Sequence, residues 1–319
     1  MCMFSTITLT GAHIPDSVTL SRRETFPARQ YDFHHSKLRN RPGWIAAELP
    51  KHSGHLALEL GERIGGGRSA VVYSAKVVTA VPGVDCGSSS RTTDPSKQEF
   101  CVKVARPNRC RSLAREAWMY EQLTENIVQG VITPRCYGLF AAVLPPEQLP
   151  FPLWTSDDYY RDASPGHWES DDPTRDDALF DDKDKGGDCI DSPPGARELS
   201  SWVDWRPNPD VPLLSVLVMA RAGRKYSLAD DDWVKSNQRD VVQILDDLSL
   251  NYIMHRDFRP DNIVLAPADT RKCKVHKRVH KWNIIDFAWS VVDDPSSPGK
   301  YELISDMQRA SFRNLHFTS

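Results

Sequence analysis

The sequence predicts an α+β fold in two parts, a strand-rich first part carrying one helix and a helix-led second part. Three observations predict it. Apolar residues alternate at Leu56, Leu58 and Leu60 and resume as Val71, Val72 and Tyr73 beyond a glycine cluster, the pattern of a strand–turn–strand hairpin. Leu113, Ala117, Tyr120 and Leu123 then share one face at helical spacing, and so do Val241, Ile244, Leu245 and Leu248. Between them the text is broken by a Pro- and Gly-containing acidic stretch that cannot bury a core.

Composition narrows the classes. A chain of 319 residues can hold one large or two modest domains. Lys and Arg total 40 against 43 Asp and Glu, a net charge of -3, so neither a nucleic acid nor a membrane is expected as partner. No apolar run approaches the ~18 residues of a membrane span. The first residues lack a basic end followed by a long apolar core, so an intracellular protein, cytoplasmic or nuclear, is expected. The seven cysteines are scattered and form no CxxC pair. Zinc or a disulfide framework calls for tighter clustering, so they read as reduced thiols.

Taken in order, residues 1–54 carry Arg, His and Pro without clear periodicity and read as a loosely ordered extension. A first part with its hinge spans 55–222, and a second spans 223–319. Residues 82–97 are a loop by composition, and 100–105 form a third strand. Residues 111–124 make the first helix, with Ser112 as its cap. Apolar segments 131–144 and 211–219 flank an insertion over about 155–208. Within it, residues 157–191 hold 13 acidic and 4 basic side chains, and disorder is expected there. Residues 230–250 form the second helix, with Asp230, Asp231 and Asp232 at its positive end and Asn251 as a left-handed cap.

The chemistry-bearing text begins at Ile64-Gly65-Gly66-Gly67-Arg68-Ser69-Ala70-Val71-Val72-Tyr73. Small residues at 65, 67 and 70 let backbone N–H groups approach phosphate oxygens. No Gly-Lys-Ser/Thr follows, which excludes the other common phosphate loop. Lys103 sits between valines in a strand and must leave the sheet or find an anion. Glu116, beside the apolar stripe of the helix, can supply that anion, with Glu121 on the other flank as competitor. The run Ile253-Met-His255-Arg256-Asp257-Phe258-Arg259-Pro260-Asp261-Asn262-Ile263-Val264-Leu265 offers Asp257 as a base and Asn262 as a hard oxygen ligand, with Arg259 able to reach a phosphate. Asn283-Ile284-Ile285-Asp286-Phe287-Ala288 is an apolar strand ending in a carboxylate.

In order and spacing these segments resemble protein kinases: glycine loop, strand lysine, helix glutamate, HRDxxxxN loop and a Phe-containing magnesium motif. The likeness covers roughly 55–290 and extends to compact kinase-like proteins of filamentous fungi. The resemblance implies a two-lobed fold with a strand-rich small lobe and a mostly helical large lobe. It also implies ATP and Mg2+ as cofactors. Lys103 would hold the α/β-phosphates, Glu116 would pair it, Asp257 would act as base, and Asn262 and Asp286 would bind magnesium. Ile64, Gly65, Gly67, Ala70 and Val72 would cover the nucleotide, and Met219 and Arg221 would border the adenine pocket at a linker 220–222. Departures are Ala70 for a third glycine, Arg259 for lysine, and Ala288 for the Gly of Asp-Phe-Gly, which resists any positive φ there. Only 33 residues follow Asp286 and no Ala-Pro-Glu occurs, so a truncated large lobe is expected, with Asp306 a candidate brace for the catalytic loop.

The functional expectation is therefore an ATP- and magnesium-dependent phosphotransferase resembling Ser/Thr protein kinases, acting on a protein or small-molecule hydroxyl. A nucleotide-binding pseudokinase or interaction module is the second reading, and a small-molecule kinase of the aminoglycoside/choline kinase type the third. The basic run Arg271, Lys272, Lys274, His276, Lys277, Arg278, His280 and Lys281 reads as a solvated hairpin, drawn to the chain's own acidic insertion.

Overall fold

In the computed structural model, residues 4–28, 54–67, 69–81, 83, 98–125, 128–155, 179, 182, 196–292 and 300–314 are described. Strands β1 (Phe4–Gly11) and β2 (Ile14–Arg22) form a hairpin. The expected hairpin follows as β3 (Gly54–Gly66) and β4 (Ala70–Val81), then β5 (Phe100–Ala105), β6 (Cys136–Val143) and β7 (Leu213–Ala220). They close into a seven-stranded barrel in the order β1-β2-β6-β7-β5-β4-β3. Six neighbouring pairs are antiparallel, and β1 meets β3 in parallel. An odd number of strands that alternate in direction can close only through one such parallel pair.

The period-2 rule sorts every strand. Phe100, Val102 and Val104 of β5 fill the barrel with Leu56, Leu58, Leu60, Val71, Tyr73, Ile7 and Leu9. Cys101 and Ala105 alternate with them onto the outer face. There α1 (Cys110–Glu125) lays Leu113, Ala117, Tyr120 and Leu123 against Leu217 and Met219. The same apolar cluster runs on into α4 (Lys235–Leu250) and the short strands β9 (Ile263–Leu265) and β10 (Trp282–Ile284). Two one-turn helices, α2 (Pro152–Thr155) and α3 (Ala196–Leu199), a strand β8 (Ile253–Met254) paired with β11 (Val291–Val292), and α5 (Lys300–Asn314) complete the described elements.

This corrects the expected fold class. The chain is a closed seven-stranded barrel with few helices, 35% strand against 26% helix, and not a two-lobed protein-kinase-like fold. Two physical features account for the difference. Residues 4–22 close the sheet as β1 and β2 instead of trailing as a loose extension. One continuous apolar cluster then joins the outer face of the barrel to α4, β9 and β10.

Smaller differences have local causes. α4 starts at Lys235 and not at 230, because Asp231 is engaged in a turn, accepting from Arg224 at 2.6 Å and from the Ser227 N–H at 2.9 Å. Asn251 has φ −96°, and the left-handed residue is Tyr252 at φ 57°. Most of the acidic stretch 157–191 lies outside the described residues. Asp182 and Leu179 are described: Asp182 pairs with both Arg111 and Arg197 at 2.8 Å, and Leu179 is buried. Further along the same insertion, Trp202 packs into the core. The basic run finds its partners on α4: Arg278 and His280 meet Asp240, and Lys281 donates to Asn237 at 3.0 Å.

α5 docks through a buried glutamine. Gln308 Nε2 donates to the Leu245 carbonyl, to Ser249 Oγ at 2.7 Å and to the Ile253 carbonyl, while its Oε1 accepts from the His255 N–H at 3.1 Å. Asp306, the expected brace, is exposed.

Three outcomes are expected in urea unfolding. Leu9→Ala should cost about 2–5 kcal/mol, because Leu9 is fully buried in the barrel; a dispensable extension would lose nothing. Gln308→Ala should cost about 2–3 kcal/mol through its stranded backbone partners. Asp306→Ala should stay within about 0.5 kcal/mol.

Candidate functional site

The barrel's own register assembles one wall of the site. Gly65 faces Val72, Val72 faces Lys103 and Lys103 faces Leu217 across β3, β4, β5 and β7. Lys103 therefore points away from the barrel interior, toward α1. Its Nζ donates to Glu116 Oε2 at 2.6 Å and to Asp286 Oδ1 at 3.0 Å. The side chains of Lys103 and Glu116 are 11% and 1% exposed, and that of Asp286 is 30% exposed. Burial opposes the ammonium, but Asp286 and Glu116 together hold Lys103 above the usual lysine range. Burial pushes Glu116 up to about 7 even with Lys103 beside it. Asp286 stays below the usual carboxylate range, since Lys103 outweighs the effect of its burial. Glu121 is not the partner of Lys103: it accepts from Thr25 Oγ1 at 2.6 Å.

A second wall comes from the segment after α4. The antiparallel pair β9–β10 sets Ile263 opposite Ile284, and the Ile285 N–H donates to the Asn262 carbonyl at 3.0 Å. Asn262 and Asp286 thus emerge at the same end of one hairpin. Asn262 is buried, and its Nδ2 donates to the Asp257 carbonyl at 2.8 Å and to Asp257 Oδ2 at 3.2 Å. That use of the nitrogen leaves its amide oxygen as the atom with ligand capacity. Arg259 lies 3.4 Å from Asp257 and is half exposed. Asp286 and Asn262 are hard oxygen donors of the kind magnesium takes. One ammonium against two carboxylates leaves the pocket short of positive charge, which fits a divalent cation there.

Buried groups that the sequence reading passed over hold these walls in register. His255 is fully buried, and its Nε2 donates to the Ile285 carbonyl at 2.8 Å. Burial holds its pKa below the usual histidine value. Arg115, next to Glu116 on α1, donates to the Ala288 carbonyl at 2.5 Å and to the Ser290 carbonyl at 2.6 Å. In the sequence Arg115 falls opposite the stripe of Leu113, Ala117, Tyr120 and Leu123, and only the burial of α1 on every side shows its role. The positive φ in this segment falls on Asp286, at 67°, and not on Ala288, so the alanine carries no backbone strain.

The remaining candidates are spread along the barrel rim. The Gly67 N–H donates to the Ala70 carbonyl at 2.9 Å, closing the β3–β4 turn, and Arg106 caps the Gly67 carbonyl from 3.2 Å. A Cβ at Gly67 would meet nothing within 4 Å, and its φ is not left-handed. Neither packing nor backbone therefore demands that glycine. Ile64 is exposed beside it, and Ala70 and Met219 are buried. Arg221, past the end of β7, lies 3.5 Å from Glu62 and 3.9 Å from Glu99 on the surface. The structure brings Lys103, Glu116 and Asp286 into contact, and Asp257 with Asn262 and Arg259. It joins Gly65 and Val72 to Lys103 through the sheet, and leaves Arg221 in its own surface cluster.

No protein-family model matches the sequence, and a search of curated proteins returns no match. Among solved structures, the chain is similar to the crystal structure of the BubR1 kinase domain, with 12% sequence identity and a TM-score of 0.36. That alignment covers 92% of this chain and 56% of the BubR1 chain, so the protein spans little more than half the length of that neighbour.

Proposed function

We propose that the protein is an ATP- and magnesium-dependent phosphotransferase that acts on a hydroxyl acceptor. The observation that carries this reading is the Lys103 ammonium, fixed 2.6 Å from Glu116 and 3.0 Å from Asp286 in a largely buried pocket. A lysine so held is a positioned cation for a polyphosphate, and Glu116 keeps it from swinging away.

The chain's residues would act as follows. Lys103 binds the α- and β-phosphates, and the turn at Gly65–Gly67, open around the Gly67 Cα, would cover the triphosphate. Magnesium held by Asp286 and Asn262 would supply charge neutralisation for the phosphate oxygens. Asp257, about a third exposed, accepts the proton of the incoming hydroxyl. The acceptor oxygen bonds to the γ-phosphorus as the bond to the β,γ-bridging oxygen breaks, releasing ADP. Arg259, beside Asp257, balances charge on the transferring group. The motif resemblance and the Asp257–Asn262 hydrogen bonds also support this assignment.

Titration calorimetry with ATP, with and without magnesium, followed by an assay of ADP formation, tests the reading. Wild type should bind Mg-ATP and turn it over. Asp257→Asn should retain binding and lose about 10²–10⁴-fold in turnover. Lys103→Met should lose binding. Absence of magnesium-dependent ATP binding in wild type, or equal turnover in wild type and Asp257→Asn, would overturn the proposal. Gly67→Val should leave the unfolding midpoint unchanged while weakening Mg-ATP about tenfold, roughly 1.4 kcal/mol.

A further inference from the structure

Where the loop joining β9 to β10 lies on α4, four metal-ligating side chains converge. Asp247 comes from α4, and Cys273, His276 and His280 from the loop. Asp247 Oδ2 lies 3.2 Å from Cys273 Sγ, 3.4 Å from His276 Nδ1 and 3.5 Å from His280 Nε2. Cys273 Sγ lies 3.6 Å from His276 Nδ1, and all four atoms fall within 4.8 Å of one another. A tetrahedral ion bound at ~2.0–2.3 Å requires edges of about 3.3–3.7 Å between its ligands. These four separations lie close to that range, and the other two atom pairs, within 4.8 Å, need only draw together.

The surroundings are built in the manner of an occupied site. His280 is fully buried, and its Nδ1 sits 2.7 Å from Asp240 Oδ1 while its Nε2 has no hydrogen-bond partner. A carboxylate on one ring nitrogen fixes the tautomer that leaves the other free to bind a metal. Asp240 is itself held by the N–H groups of Lys281 at 2.8 Å and Trp282 at 3.0 Å. The His276 N–H donates to Cys273 Sγ at 3.4 Å, the backbone support typical of a thiolate ligand. Asp247 and Cys273 are buried, and His276 lies at the rim with 17% of its side chain exposed.

We propose that Asp247, Cys273, His276 and His280 form a tetrahedral Zn2+ site that clasps the β9–β10 loop to α4. One thiolate and one carboxylate cancel the charge of a divalent ion, and two neutral imidazoles complete the shell. Thiolate and imidazole select zinc over magnesium or calcium, which take oxygen. Four protein ligands leave no open position, so the role is structural. The site stands independently of the phosphotransfer reading, since it shares no ligand with Asn262 or Asp286.

The test uses the full chain, expressed without a polyhistidine tag and equilibrated with zinc before desalting. Elemental analysis should find about one zinc per chain in wild type and in the control Lys274→Ala. It should find less than about a tenth of that in Cys273→Ser and in His276→Ala, the latter chosen because its rim position leaves little void. The cobalt-loaded wild type should show intense tetrahedral visible bands with a thiolate-to-cobalt charge-transfer band, and Cys273→Ser should lose the charge-transfer band. Chelator should lower the melting temperature of wild type and leave that of His276→Ala unmoved. A metal-free wild type after equilibration, zinc content unchanged in both ligand variants, or a cobalt spectrum without thiolate character would overturn the proposal.

Discussion

One buried ammonium constrains the rest of the site. Lys103 occupies a strand that is otherwise apolar, and the strand's alternation turns it away from the barrel and under α1. There it has two carboxylates from elements 13 and 183 residues away in sequence. Removing one partner of such a buried pair costs about 3–5 kcal/mol, so the placement of α1 on β5 and the end of β10 beside both are coupled choices. α1 serves the arrangement twice. Glu116 reaches Lys103, and the adjoining Arg115 grips the Ala288 and Ser290 carbonyls just beyond Asp286. The segment carrying Asp286 is thereby held from both sides by consecutive residues of one helix.

Rigidity around that core is achieved with buried polar groups and local strain. Arg256 and Asp286 both adopt left-handed backbone, at φ 53° and 67°. The aspartate tolerates it, whereas the arginine pays on the order of 1 kcal/mol and persists only because its neighbours fix it. Those neighbours are identifiable. His255 bonds the Ile285 carbonyl, Ser290 Oγ bonds the His255 carbonyl, and Gln308 accepts from the His255 N–H. His255 also packs edge-on against Phe287 with ring centroids 5.0 Å apart. A loop so tied is fixed by the chain's own groups, and Asp257 lies within it.

Local pattern made much of the site legible and little of its closure. Alternation at Leu56, Leu58 and Leu60 identified β3, and a lysine between valines marked Lys103 as a residue in need of an anion. The β1 text Phe-Ser-Thr-Ile-Thr-Leu-Thr alternates too, with Ile7 and Leu9 inside the barrel, but threonines on its outer face blurred the signal. Its parallel partner β3 begins some 50 residues on, a non-local pairing no window of sequence contains. The same limit applies to the loop 266–281. Its positive charges suggested a solvated hairpin, yet Asp240 and Asp247 on α4 wait beneath it, one helical face two turns apart. Cys273 forms no CxxC pair and His276 and His280 read as members of the basic run, while Asp247, which stands beside all three, lies on a helix.

The β9–β10 hairpin thus carries a demanding polar cluster at each end. At its open end Asp286 meets Lys103 and Asn262 meets Asp257; at its loop end His280 and Cys273 meet α4. Between them the strands are three residues long, apolar except for Asn283, and anchored sideways by the Ile284 N–H on the Ile132 carbonyl and by Asn283 Nδ2 on the Val131 carbonyl. A hairpin this short cannot fix its own register by side-chain alternation. Its register must come from its ends and from Asp240, which holds the N–H groups of Lys281 and Trp282 where β10 begins. Asp286 lies four residues beyond Trp282, so the position of that carboxylate beside Lys103 is inherited from the clasp on α4 as much as from the ion pair itself.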